Sequence, residues 1–139
     1  GRDGGGGLTP DVLSTEVMSS IEAMDEDAVV ACMREKLGVS KAAAADAAAL
    51  LRVTRLVSTR AARVSASAIV AIARHAGYLS KEEATVIALD GSVIRHYSTF
   101  KERIQACIRE LAGDAGDKLV LELADDGSGL GAAVIAATA

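Results

Sequence analysis

Aromatic side chains are nearly absent from this chain of 139 residues, which has no tryptophan, two tyrosines and one phenylalanine. A single-strand nucleic-acid platform needs rings on which bases can stack, and Tyr78, Tyr97 and Phe100 are too few to build one. Excess positive charge is missing too. Fifteen Lys and Arg stand against nineteen Asp and Glu, a formal net charge of −4. No net basic field therefore recruits phosphate backbones or anionic lipid, and nucleic acid is a poor partner. Cysteine is scarce: Cys32 and Cys107 lie far apart, without a C-x-x-C. That excludes a disulfide framework and a thiolate metal site and makes a reducing compartment, the cytoplasm, the default. Each cysteine sits in an apolar helical pattern, as a small buried thiol does. No uninterrupted apolar run approaches the roughly 18 residues of a membrane span.

The opening "GRDGGGG" is neither a signal nor a transit peptide. Residues 1–7 read as a flexible glycine-rich linker, a loop insertion or a cut end, and the absence of an initiator Met suggests a fragment. Half of the chain is apolar, with alanine dominant, so a closely spaced aliphatic core in one domain is expected. Thr9 followed by Pro10 and Asp11 forms a helix-start signal, with Leu13, Val17 and Ile21 recurring every four residues after it. A second helix spans about Glu26 to Leu37, buries Val29 or Val30, Met33 and Leu37, and stops at Gly38.

The longest periodic segment runs from about Lys41 to His75. Leu50, Val53, Val57, Ala61, Val64, Ala68 and Ile72 recur at spacings of three and four and are expected to form its buried face, while the small alanines and serines that fill the gaps let a neighbour approach closely. Arg52, Arg55, Arg63 and Arg74 line a solvated side, and Gly77 ends the helix with His75 beside its dipole. The period then changes. Thr85–Leu89 is a β-branched run, Asp90-Gly91 signals a tight turn, and "SVIR" is expected as the second strand of a hairpin. Thr99 with Glu102 reads as a capping box for a helix with Phe100, Ile104, Cys107, Ile108 and Leu111 on one face, stopped by Gly113. "KLVLEL" alternates at Leu119, Leu121 and Leu123 as a strand, and "GAAVIAATA" reads as a last helix.

Between that strand and that helix stand Gly127, Gly129 and Gly131. Glycines there either offer free backbone N–H groups to a phosphate or nucleotide edge, or let helix and strand pack closely. "GSGLG" is not the G-x-G-x-x-G dinucleotide fingerprint.

Four stretches in this order resemble the C-terminal part of the large lobe of eukaryotic hexokinases and glucokinases: "TEVMSSIE", "LVSTRAARVSASAI", "LDGSVIRHYSTFKERI" and "DDGSGLGAAVIAA". The resemblance covers residues 8–139. It implies the α/β fold of an actin-like sugar-kinase ATPase (ribonuclease H-like) large lobe, here partial, helix-rich and with a small mixed sheet. It also implies an ATP-dependent hexokinase that uses Mg²⁺ and phosphorylates the 6-hydroxyl of glucose or related hexoses. In that family the segments matching Thr15–Ser19 and Ser92–His96 border the adenosine and phosphates of ATP. The resemblance therefore nominates the hydroxyls of Thr15, Ser19 and Ser92, the Asp90-Gly91 turn that offers Ser92, Val93, and Gly127, Ser128 and Gly129 beside them. Capping by Thr15 and turn support by Ser92 are the alternative uses of those hydroxyls. Gly127, Gly129 and Gly131 then read mainly as close-packing glycines.

Ile94 and Ser98 depart from the aromatic and the proline the family often has there. The resemblance places His96 in the nucleotide turn, away from the sugar, so neither histidine is assigned a catalytic role. No aspartate here matches the family's catalytic base, and the sugar site, phosphate cradle and Mg²⁺ ligands belong to upstream segments. The chain alone is expected to be inactive. A non-catalytic sugar-sensing or scaffolding homologue is the alternative for the whole protein.

Overall fold

The computed structural model describes residues 12–125 and 127–138, the side chain of Ser128 apart. The linker expected over residues 1–7 and the helix start at Thr9 lie outside the described residues. The chain forms two compact units, divided after Ser58.

In the first unit, helix α1 covers Thr15–Glu22 and helix α2 covers Glu26–Glu35, and helix α3, Ala44–His75, begins. Each start has its own device. Ser14, in extended backbone, accepts from the Val17 amide at 3.2 Å, and Asp25 accepts from the Ala28 amide at 2.8 Å. Asp46 in the first turn of α3 reaches back to the Ala43 amide at 2.9 Å, the reciprocal half of a capping box. Between α2 and α3 the chain turns at Gly38, and Arg34 fixes the return by donating from Nε and Nη2 to the Ala42 carbonyl at 3.0 and 2.6 Å. The core joins Ile21, Val29, Cys32, Met33, Leu37, Ala42, Ala47, Leu50 and Leu51. Of the two candidates on α2, Val29 is the buried one and Val30 packs at the margin.

Helix α3 has the expected length but not the expected buried face. Of the seven residues assigned to it, only Leu50 is buried; Val64 is 60% exposed and Ile72 67% exposed. The buried stripe instead runs through Ala47, Leu51, Thr54, Ser58, Ala62, Ala66, Val70 and Ala73. Both stripes share the helical period, so spacing cannot separate them. Residue volume decides: small side chains let neighbouring backbone come close, and the large ones are left outward. The two hydroxyls in the stripe are satisfied, Thr54 by the Leu51 carbonyl at 3.0 Å and Ser58 by Glu22 Oε1 at 2.7 Å. No uninterrupted apolar run of membrane length occurs in α3, since Arg52, Arg55, Arg60, Arg63 and Arg74 divide it. An 18-residue window of α3 reaches a mean hydropathy of 1.3, enough to cross a membrane by length and composition alone.

The second unit holds strand β1 (Thr85–Leu89), helix α4 (Ser92–His96), helix α5 (Phe100–Ala112), strand β2 (Leu119–Leu123) and helix α6 (Gly127–Thr138). The two strands pair in parallel, from Thr85 against Leu119 to Leu89 against Leu123. The expected hairpin is not formed. Gly91, at φ 126° and ψ 157°, occupies an extended region open only to glycine, and "SVIR" is the body of α4, closed by Tyr97 N–H to Val93 O at 2.9 Å. β-Branched content made that segment look like a strand, but β1 finds its partner thirty residues further on.

Helix α5 buries Phe100, Ile104, Cys107 and Ile108 as expected, and leaves Leu111 exposed. The capping box expected from Thr99 and Glu102 is absent. At φ −114° and ψ 4° the Thr99 hydroxyl caps nothing, because a cap needs extended backbone to aim its oxygen into the first turn. A 3-10 turn over Gly113–Lys118 carries the chain back into β2. Gly116 makes this possible: a Cβ there would stand 2.9 Å from the Ile108 carbonyl oxygen of α5. Leu119 and Leu121 are buried on β2, whereas Leu123, at its end, is exposed.

Two outcomes check these assignments. Replacing Ala66 by Leu should cost about 1–3 kcal/mol by overpacking, and Val64→Ala should stay within about 0.5 kcal/mol; urea unfolding of both variants measures this. The reverse order would restore the larger residues to the buried face. The second outcome concerns Arg63, whose Nη1 and Nη2 each donate to a Glu110 oxygen at 2.8 Å. These hydrogen bonds, and then the charge of Arg63, hold Glu110 below its ordinary value of 4.5. The pair therefore stabilises the fold above 4.5, and the contribution disappears as pH falls through the lowered folded value. A carboxyl NMR titration should find the Glu110 midpoint below 4.5 and see it move up toward that value in Arg63→Ala.

Candidate functional site

Parallel pairing sends both strands out at the same end of the sheet. The chain leaving β1 passes through Asp90 and Gly91 into α4, and the chain leaving β2 passes through Ala124 and Asp125 toward α6. One hydrogen bond beyond the ladder, Ala124 N–H to Leu89 O at 2.8 Å, keeps the two exits together. Asp90 turns back on itself, its Oδ1 accepting from the Gly91 amide at 2.8 Å. Ser92 then opens α4 as an exposed residue, with Val93 exposed after it.

Arg95 completes the arrangement. Its Nη1 donates to Asp125 Oδ1 at 2.7 Å and its Nη2 to the Ala124 carbonyl at 2.7 Å, with Asp90 Oδ1 3.7 Å from the same Nη2. Its own charge is favoured by these contacts: the hydrogen bond it donates to Asp125 is the largest influence raising the guanidinium pKa. The sequence reading missed this residue. The only available signal was an arginine two positions after the D-G-S-V motif, and its carboxylate partners stand five positions upstream and thirty downstream.

The sequence-nominated residues thus divide. Asp90, Gly91, Ser92 and Val93 on one exit, and Gly127, Ser128 and Gly129 on the other, come to one end of the second unit. Thr15 and Ser19 lie in the first unit, one turn apart on α1. Thr15 does not cap α1, because Ser14 does. The close packing expected of the glycine cluster is found at Gly127, where a Cβ would meet that of Ala124 at 3.2 Å, and not at Gly131, which faces open space. Among the described residues no three His, Cys, Asp or Glu side chains group as a metal site.

A family described as hexokinase matches residues 7–138. Hexokinase-1 of Oryza sativa subsp. japonica is 36% identical over 144 residues, covering 96% of this chain and 29% of that protein. Hexokinase-1 of Spinacia oleracea is 31% identical, covering 94% and 28%. Glucokinase of Aspergillus niger is also 31% identical, covering 91% and 27%. A solved crystal structure of hexokinase superposes with a TM-score of 0.78 over 90% of this chain and 30% of that one, at 22% identity, which shows a shared fold. The chain belongs to the hexokinase family. It spans less than a third of the length of these relatives.

Capping at α1 gives a direct check on Thr15. Ser14→Ala should cost about 0.5–2 kcal/mol and Thr15→Ala less than about 0.5 kcal/mol, both read by chemical denaturation. Equal losses would return Thr15 to a structural role.

Proposed function

We propose that this chain supplies the adenosine-side wall of the ATP site in a hexokinase. The observation that carries the reading is that two parallel strands exit at the same end, with Asp90–Val93 following one and Gly127–Gly129 following the other. Open α/β sheets bind ligands at that end, in the crevice outside the strand termini. The Ser92 hydroxyl is suited to donate to a phosphate oxygen or to accept from the adenine amino group. Gly91 and Gly127 keep backbone accessible there, and Val93 offers apolar surface. Thr15 and Ser19, on α1 of the first unit, are candidates by family resemblance alone.

The whole protein, in this reading, transfers the terminal phosphoryl group of ATP to the 6-hydroxyl of glucose or a related hexose. Positioning and charge neutralisation do most of the work in such a transfer, and Mg²⁺ supplies much of the latter. By family resemblance, the Mg²⁺ ligands, the carboxylate that takes the hydroxyl proton and the sugar site are assigned to other segments of the protein. Two free, buried cysteines suit a reducing compartment such as the cytoplasm.

A nitrogen-15 NMR titration of the chain with ATP tests this. Shifts should gather at Ser92, Val93, Gly127 and Gly129 with a Kd on the order of 1 mM. Mg²⁺ should make little difference, and no glucose phosphate should form. Shifts elsewhere only, or none, would sink the reading, and tight Mg²⁺-dependent binding would show that the site is not divided as proposed.

A further inference from the structure

The exits of β1 and β2 carry the two nominated turns, and two of the links that join them lie beyond the strand ladder. One is the Ala124 amide on the Leu89 carbonyl; the other is the Arg95 guanidinium on Ala124 O and Asp125 Oδ1, with Asp90 at the edge of its reach. Ala124 is therefore held from both sides, its N–H by β1 and its C=O by α4. We propose that Arg95 is a positioning residue for nucleotide binding: it locks the Asp90–Val93 turn and the start of α6 into one frame, so that a ligand touching both meets them already aligned.

An exposed ion pair alone would count for little, and Asp125 is 94% exposed. The Ala124 carbonyl changes the balance. A planar fork serves a backbone oxygen and a carboxylate at once, each at 2.7 Å, and fixes direction as well as distance. Lysine has the charge but not the fork. Aligning two turns before binding removes an ordering cost that the ligand would otherwise meet, so the effect falls on affinity more than on global stability. This inference rests on the nucleotide reading above, and the experiment separates the two.

Arg95→Ala, Arg95→Lys and the unaltered chain are compared by amide hydrogen exchange, thermal unfolding and ATP titration followed at the Ser92 amide. In Arg95→Ala, exchange at Ala124 should rise about tenfold and the apparent Kd for ATP about fivefold, with Tm moving by less than about 3 °C. Arg95→Lys should recover less than half of the affinity. Unchanged affinity in a folded Arg95→Ala overturns the inference, as does full recovery by lysine. If Arg95→Ala fails to fold, Arg95→Lys decides by the same exchange and affinity readouts. If the unaltered chain gives no ATP response, the nucleotide reading fails, and Ala124 exchange then judges the clasp alone. Faster exchange there would reduce Arg95 to a structural residue and unchanged exchange would remove even that, and either result overturns the proposal.

Discussion

Parallel pairing of Thr85–Leu89 with Leu119–Leu123 is the constraint on which the second unit depends. An antiparallel hairpin would have spent Asp90 and Gly91 on a reversal and carried the exit of its second strand to the far end of the sheet. Because the strands run the same way, the connection between them must return to the starting edge. Helices α4 and α5 and the Gly113–Lys118 turn make that return. Gly116 lets the returning backbone lie against α5, and Gln105 Nε2 donates to the Leu119 carbonyl at 3.3 Å, setting where β2 begins. Once β2 begins there, its exit lies beside that of β1.

The helices were largely legible in the sequence because punctuation and period agree at their ends. Gly38, Gly77 and Gly113 follow α2, α3 and α5 where expected. The inner face of α5 was legible too, Leu111 apart, since Phe100, Ile104, Cys107 and Ile108 form an apolar stripe with no rival. On α3 two stripes compete, and a reading weighted by hydrophobicity picks the large residues. Ala62 and Ala66 are fully buried and win by being small. Pairing was not legible either, since β-branched runs say nothing about which partner a strand will find. "SVIR" lay next to β1 in sequence and yet forms a helix.

The candidate site shows the same division. Motifs supplied Asp90–Val93 and Gly127–Gly129 by family resemblance, and the strand exits explain in physical terms why two stretches so far apart belong together. Arg95 was invisible, because its value lies in partners that only the fold brings within reach. The glycine cluster changed meaning on contact with the structure: Gly127 packs tightly on Ala124, whereas Gly131 has room for a side chain.

Exposed apolar residues on α3, β1 and α6, such as Ile72, Val86 and Ile135, accord with a chain that spans under a third of its hexokinase relatives. What the described residues contribute by themselves is a pair of aligned strand exits. The direct test of that claim is the set of cross-strand nuclear Overhauser contacts in solution. They should join Thr85 with Leu119 through Leu89 with Leu123 in parallel order. Contacts joining Thr85–Leu89 with Ser92–Arg95 in antiparallel order would contradict the account at its root.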